Sequence, residues 1–298
     1  MKVVKQSLGR WLPLLASAAL ALCGIALIGS AVKAPPASGA QPIDTGNCVT
    51  PGLTRGIAPT HDDGGYWVVG DTGMVAACGD APAYGPLTAR LNAPIVGIAA
   101  TPDGSGYYLV ASDGGIFTFG DARYQGSMGG ARLNKPIVGM AVDPSTGGYW
   151  LVASDGGVFA FDAPFYGSTG SLRLNQPIVG MAESNDGSGY WMVAADGGIF
   201  AFNAPFLGSM GDTPLAKPIV GMAPDAASGG YWLVGADGGV FSYDAPYLGS
   251  TSVLGLDQIV GMETNTTGTG YRLLQIDGSI YDYGSSMGVG EPVGPEIG

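Results

Sequence analysis

The side chains that could do chemistry in this sequence are few. A single histidine, His61, occurs in the 298 residues, within the sequence His-Asp-Asp-Gly-Gly. Acyl transfer by a Ser-His or Cys-His mechanism would require this histidine as its base. Equivalent positions further along the chain carry Pro102-Asp103 and Pro144-Ser145, which are typical of turns. We therefore interpret His61 as a solvated turn residue and predict no catalytic residue.

Carboxylates are the second candidates, because five aspartates recur at one position of a repeated turn. They are Asp113, Asp155, Asp196, Asp237 and Asp277. Calcium needs about 6–8 oxygen ligands at one point, and the two carboxylates of a glycosidase lie about 5–10 Å apart. Aspartates in separate turns meet neither condition, so we predict that each caps its own hairpin through backbone N–H groups. The spacing indicates neither a metal site nor a cofactor site.

These aspartates belong to a long repeat. Its clearest copy is Pro136 to Gly167, and a tyrosine that follows glycine marks each copy at intervals of 40–42 residues. The tyrosines are Tyr66, Tyr107, Tyr149, Tyr190, Tyr231 and Tyr271. A period near 40 that is rich in strand-forming residues and glycine turns is typical of propeller blades or stacked arrays. We therefore expect six units within residues 53–288.

Each unit is expected to hold four short strands separated by turns. In the third unit we place them at residues 137–142, 148–154, 158–161 and 165–168. Asp155-Gly156-Gly157 is a hairpin turn of the Asp-Gly type. The second strand is apolar on both faces and therefore requires cover on both sides. Face-to-face blades around an axis provide that cover, and Gly139 in the first strand suits the crowded centre.

The predicted fold class is therefore all-β, a six-bladed β-propeller of about 41-residue four-stranded repeats. We expect the Ile-Val-Gly-Met strands to be innermost. Preceding the repeats, Lys2, Lys5 and Arg10 are followed by an uncharged apolar run over residues 11–32. This pattern predicts a signal peptide or membrane anchor in residues 1–40. Residues 41–52 are expected to be a linker, and residues 289–298 a flexible tail.

Charge and cysteine content indicate an extracytoplasmic protein. Residues 1–40 hold four of the 12 basic residues and none of the 24 acidic ones, which leaves a net charge of −16 after cleavage. A surface this acidic disfavours nucleic acid and anionic lipid as partners. Cys48 and Cys78 form an even pair in an exported chain, so we predict a disulfide between them. We expect a secreted monomer, with membrane contact only through residues 11–32 if these are not cleaved.

The unit GYWLVASDGGVFAF, followed by DAPFYGS and LNxPIVGMA, resembles a tandem repeat of secreted actinobacterial proteins. The resemblance covers residues 53–288, and it implies an exported propeller of the broad WD40, kelch or NHL type. The end units depart from the pattern: Met74 stands where glycine is usual, and Arg272 replaces the tryptophan. Such divergence is common in the terminal units of repeat proteins.

Arginines in the segments that join one unit to the next suggest a binding surface. Arg90, Arg132 and Arg173 each lie four residues before a proline, and Asn92, Asn134 and Asn175 follow them. Lys135 and Lys217 lie in the same segments. The side chains could instead pair with aspartates of a neighbouring blade or pack over apolar surface.

Two function classes stay open on these observations. The first is a non-enzymatic binding or scaffold module that holds a cell-envelope glycan or another surface protein. The second is a propeller hydrolase, lactonase-like or glycan-cleaving, with its site at the channel mouth. The hydrolase would need non-repeating polar residues that converge on the axis, and the repeat pattern favours the binding module.

Overall fold

The computed structural model describes residues 42–43, 50–184 and 186–284. These residues form nineteen β-strands and one 3-10 turn, η1 (Ser252–Leu254), with no α-helix in this part of the chain. The strands are β1 (Pro42–Ile43), β2 (Thr54–Pro59), β3 (Gly65–Gly70), β4 (Val75–Gly79), β5 (Ile95–Ala100), β6 (Gly106–Ala111), β7 (Ile116–Gly120), β8 (Ile137–Val142), β9 (Tyr149–Ala153), β10 (Val158–Phe161), β11 (Ile178–Glu183), β12 (Tyr190–Ala194), β13 (Ile199–Phe202), β14 (Ile219–Pro224), β15 (Tyr231–Gly235), β16 (Val240–Tyr243), β17 (Ile259–Thr264), β18 (Gly270–Gln275) and β19 (Ile280–Gly284).

Six antiparallel sheets contain these strands, one sheet for each sequence unit, as in a propeller-like fold. Five sheets have three strands, and the last has the order β1-β19-β18-β17 because β1 pairs with β19. Every first strand contains a register shift just before its glycine, for example between Ile178 and Gly180. Such a bulge locally increases the twist of a strand. The all-β class and the six-unit count are confirmed.

The fourth strand predicted for each unit is wrong for the first five units, and in the last unit its expected place lies outside the described residues. Residues 165–168 of the third unit belong to no strand. Side chains hold this outer segment instead: the indole N–H of Trp150 donates to the carbonyl of Pro164 at 2.7 Å, and the hydroxyl of Tyr190, in the next unit, donates to the carbonyl of Gly167 at 2.6 Å. Pro164 has no N–H, and Gly167 has φ +134°, so this segment cannot continue a backbone ladder.

The six sheets close into a ring. The first strands contact one another in order, and β17 contacts β2 in the same way. At all six junctions the first strand's opening N–H donates to a carbonyl in the preceding unit's hairpin turn. The bonds are Ile95 to Asp71 (2.9 Å), Ile137 to Ser112 (2.9 Å), Ile178 to Ser154 (3.0 Å), Ile219 to Ala195 (2.9 Å), Ile259 to Ala236 (3.1 Å) and Thr54 to Ile276 (3.2 Å). The last bond joins the two ends of the described repeat. Because the first strands contact one another all the way round the ring, the predicted innermost position of the Ile-Val-Gly-Met strands is confirmed.

The core lies between neighbouring sheets. Six clusters of buried side chains each combine residues of two adjacent units, and one of them joins Leu274 and Ile280 to Tyr66 and Val68. The second strands are buried along their whole length in the central units. The predicted two-sided cover of these strands is confirmed. A Cβ at Gly139 would stand 3.6 Å from the Cα of Gly180, so adjacent first strands approach closely at these glycines.

Several predictions concern residues that the structure does not describe. The signal peptide or anchor of residues 1–40 and the tail of residues 289–298 lie outside the described residues, as does Cys48. Cys78 is buried on β4, and the disulfide stays a prediction. Within the segment expected to be a linker, Pro42–Ile43 forms the outer strand of the last sheet. In the described part of the chain, no helix has the length and apolar character that crossing a membrane requires.

Candidate functional site

The ring presents two faces with different chemistry. All first strands run in one direction, so the segments that precede them lie on one face and the turns that follow them lie on the other. We call the first the connector face, because it carries the Asp-Gly turns and the parts of the connecting segments that contact them, residues 87–94, 128–136, 169–177, 210–218 and 251–258. The second we call the opposite face. Each face offers one candidate site.

Each repeated aspartate of the connector face caps its own hairpin turn. The carboxylate of Asp155 accepts the N–H of Gly157 at 3.1 Å, and the equivalent bond recurs at the other four positions. These bonds join Asp113 to Gly115, Asp196 to Gly198, Asp237 to Gly239 and Asp277 to Ser279. The capping role predicted for these residues is confirmed. Among the described residues, no group of three or more His, Cys, Asp or Glu side chains is arranged to hold a metal ion.

The predicted binding residues of the connector face are all exposed. They are Arg90, Asn92, Arg132, Asn134, Arg173 and Asn175. None of the three arginines forms an ion pair or hydrogen bond with another side chain in the described residues, whereas Lys217 lies 3.5 Å from Asp257. The first three connectors therefore carry free guanidinium groups, and the last two carry the carboxylates of Asp212 and Asp257.

A shallow pocket of about 240 Å³ lies beside Arg173. Asp155 and Ser154 of a hairpin turn form one side, and Leu172, Leu174 and Asn175 of the following connector form the other. Leu172 is 60% exposed. The pocket thus combines an apolar surface with an amide, a carboxylate and an adjacent guanidinium, which suits a polar ligand with an apolar face.

A cavity of about 390 Å³ lies on the axis toward the opposite face. The fourth residues of the first strands line it as an apolar ring: Ile57, Ile98, Met140, Met181, Met222 and Met262. Two acidic residues, Glu183 and Glu263, are among the residues that line it. Burial raises the pKa of Glu183, and no side chain of the described residues pairs with this half-buried carboxylate.

Glu263 belongs to a buried ionic row across the last sheet. The Arg272 guanidinium, 1% exposed, lies 3.2 Å from Glu263 Oε1 through Nη1 and 3.0 Å from Asp282 Oδ1 through Nε. The guanidinium carbon also lies 4.5 Å from the centre of the Tyr66 ring. Burial raises the pKa of Glu263 to about 7 against the opposing effect of Arg272, and burial likewise raises the pKa of Asp282.

In the third unit, different residues occupy the positions equivalent to Glu263, Arg272 and Asp282. Cross-strand partners align Ala141, Trp150 and Ala160 in the third sheet, and Glu263, Arg272 and Asp282 in the sixth. Trp150 packs on Tyr190 of the next unit with ring centres 5.2 Å apart. In the last unit Arg272 makes the corresponding contact with Tyr66, so a cation–π contact replaces an aromatic pair where the ring closes.

Sequence reasoning noted Arg272 as a departure but missed its two carboxylate partners. Glu263 and Asp282 are separated from Arg272 by nine and ten residues, so they become neighbours only when the strands are paired. If the units are compared by the residues that pair across strands, Glu263, Arg272 and Asp282 together replace the Ala, Trp and Ala of the third unit. Glu183 likewise stands where other units have proline, alanine, valine or threonine.

His61 is exposed in the first turn of the opposite face, which agrees with its interpretation as a turn residue. A carboxylate pair lies in the equivalent turn of the second unit. The Thr101 hydroxyl donates to Asp103 Oδ1 at 2.8 Å and lies 3.3 Å from Asp121 Oδ1. The bond from Thr101 lowers the pKa of Asp103, whereas partial loss of hydration raises the pKa of Asp121. Both aspartates are exposed and hold the turn together.

Comparison with known proteins adds support for the fold. No family model matches this chain, and no curated protein matches it. Among solved structures, the chain is similar to a structural genomics protein of unknown function from Bacteroides thetaiotaomicron VPI-5482, with a TM-score of 0.56 and 13% identity. The alignment covers 85% of this chain and 73% of that one. At this identity the similarity concerns the fold alone: this chain and the Bacteroides protein share an all-β architecture.

Proposed function

We propose that this protein is an exported, non-enzymatic binding module whose connector face holds an anionic glycan or surface protein of the cell envelope. The observation that carries the proposal is the repetition of Arg90, Arg132 and Arg173. These exposed arginines occupy one register in three successive connectors, and none forms an ion pair among the described residues.

Electrostatics supports an anionic ligand at this surface. The protein has a formal net charge of −12, so most of its surface repels anions. Guanidinium groups bind carboxylate and phosphate groups through a planar fork of donors. The neighbouring Asn92, Asn134 and Asn175 offer donors and acceptors that suit a glycan. The regular spacing of the pairs around an arc matches a ligand with a repeating polar structure.

The test compares two variants that lose the same charge. The variant Arg90→Ala, Arg132→Ala, Arg173→Ala removes the three arginines that share one register. The control Arg123→Ala, Lys135→Ala, Lys217→Ala removes three other exposed basic residues, two of them on the connector face. We expect the first variant to bind isolated actinobacterial cell envelopes roughly tenfold more weakly, as for the loss of three exposed ionic contacts. The control should bind like the parent, and salt should weaken parental binding. Equal binding by both folded variants would contradict the proposal.

A hydrolase at the channel mouth is the alternative function. It would need two carboxylates free to act as acid and base or nucleophile. The cavity has two, but Glu263 is held at 3.2 Å by Arg272. Glu183 is then the one lining carboxylate that no side chain of the described residues engages. This arrangement favours binding over hydrolysis at the axis as well.

A further inference from the structure

The contact between the sixth and first sheets joins the two ends of the repeat, and we call it the seam. On the connector face, the N–H of Thr54 donates across the seam to the last hairpin turn at 3.2 Å. On the opposite face, the hydroxyl of Thr266 donates to Asp63 Oδ2 at 2.7 Å. The guanidinium of Arg272 also crosses the seam, 4.5 Å from the centre of the Tyr66 ring. Closure of the ring therefore depends on polar contacts as well as on apolar packing.

The buried charges of the seam do not balance. The side chains of Arg272 and Glu263 are 1% and 6% exposed, and Asp282 places a second carboxylate 3.0 Å from the same guanidinium. One buried cation therefore faces two carboxylates. Oε2 of Glu263 is buried and has no hydrogen-bond donor among the described residues. An ionised carboxylate is costly in such a place, and uptake of one proton removes the surplus charge.

The other charged groups around Glu263 do not supply a second positive charge. Asp63, in the first turn of the first unit, adds negative charge. Arg55 is the one charged residue of β2, which packs against β17, and it forms no ion pair among the described residues. On the other side of β17, β14 has no titratable side chain, and Tyr231 of β15 packs between the fourth and fifth units. Burial accordingly raises the pKa of Glu263 to about 7 and raises the pKa of Asp282.

We propose that the seam is a pH-sensitive closure, which uptake of a proton by Glu263 tightens in mild acid and loss of that proton loosens at higher pH. Opening of the seam hydrates the carboxyl and returns its pKa toward the ordinary value of 4.5. The closed ring therefore gains most below pH 4.5, and this gain is lost as the pH rises to about 7 and above. Protonation leaves Arg272 paired with Asp282, so the contact with Tyr66 is kept. This closure goes beyond the binding function proposed above.

Hydrogen exchange at two pH values tests the proposal. The protection of the Thr54 amide, relative to an unstructured peptide at the same pH, is measured at about pH 5 and about pH 8. The amide of Ile178, which donates to Ser154 at 3.0 Å between the third and fourth units, is the internal reference. We expect the protection of Thr54 relative to that of Ile178 to fall by about tenfold from the lower pH to the higher one.

Three variants separate the effect of Glu263 from a general effect of pH. Glu263→Gln cannot ionise at this position, so the relative protection of Thr54 should no longer depend on pH. The triple variant Glu263→Ala, Arg272→Trp, Asp282→Ala removes the whole ionic row and should also be independent of pH, and it serves if Glu263→Gln does not fold. In the control Glu183→Gln, a carboxyl whose pKa burial also raises is removed away from the seam, and the parental dependence on pH should remain.

Two outcomes would overturn the inference. Relative protection of Thr54 that stays equal or increases toward the higher pH would show that the seam does not release a proton as it loosens. A dependence on pH that persists in the folded variants without Glu263 would assign the effect to another group, such as His61 or Asp63. Neither measurement involves envelope binding by the connector face, so this inference and the proposed function can fail separately.

Discussion

Replacing Arg272 by alanine should lower the free energy of unfolding by about 3–5 kcal/mol, the cost of leaving buried charges unpaired. Glu263 and Asp282 would lose the guanidinium that lies 3.2 and 3.0 Å from their oxygens. The contact with Tyr66 at the closure of the ring would be lost as well. Urea unfolding followed by circular dichroism measures the change.

The repeat itself supplies the control for this prediction. The triple variant Glu263→Ala, Arg272→Trp, Asp282→Ala restores in the last sheet the residues that occupy these positions in the third. Replacement of a whole buried ionic group by well-packed apolar residues is often neutral or stabilising. We therefore expect the triple variant to be at least as stable as the parent. A triple variant as unstable as Arg272→Ala would mean that the last interface cannot accept the packing of the others.

Trp191→Ala should also destabilise the protein by about 3–5 kcal/mol, as for a large aromatic removed from a packed core. The Trp191 side chain is fully buried, and its ring centre lies 5.1 Å from that of Tyr231 in the next unit. Its indole N–H also donates to Pro205, 2.7 Å away, which fixes the outer segment.

The matched control for Trp191 is Phe206→Ala. Phe206 lies next to Pro205 in the same outer segment, but it is 61% exposed. We expect its loss to change the free energy of unfolding by about 0.5 kcal/mol or less, as for most surface substitutions. Comparable destabilisation by both variants, measured by urea unfolding, would show that stability does not depend on the packing between neighbouring sheets.

The repeating features of the fold could be predicted from the sequence. The first and third strands of the third unit begin and end where expected, at Ile137–Val142 and Val158–Phe161. Their apolar composition and their Asp-Gly turns are local signals, and repetition reinforces them. The outer segment was predicted wrongly because its position depends on contacts from Trp150 and Tyr190, which lie outside the segment itself.

The candidate sites were only partly predictable. Arg90, Arg132 and Arg173 share one offset, so their common face followed from the period. The carboxylates of the axial cavity did not, because Glu183 and Glu263 lie in different units and at different strand positions. Both residues line one cavity only because the ring closes, and no spacing in the sequence encodes that arrangement.

Closure of the ring is the central claim, since both candidate sites depend on it: without closure the axial cavity has no continuous wall. Hydrogen exchange of six equivalent amides tests closure most directly. Those of Ile95, Ile137, Ile178, Ile219 and Ile259 each donate to the preceding unit, and the amide of Thr54 donates to Ile276 of the last unit at 3.2 Å. We predict that Thr54 is protected to within about tenfold of the other five amides. Exchange of Thr54 at the rate of an unstructured peptide, with the other five still protected, would show that the ring is open.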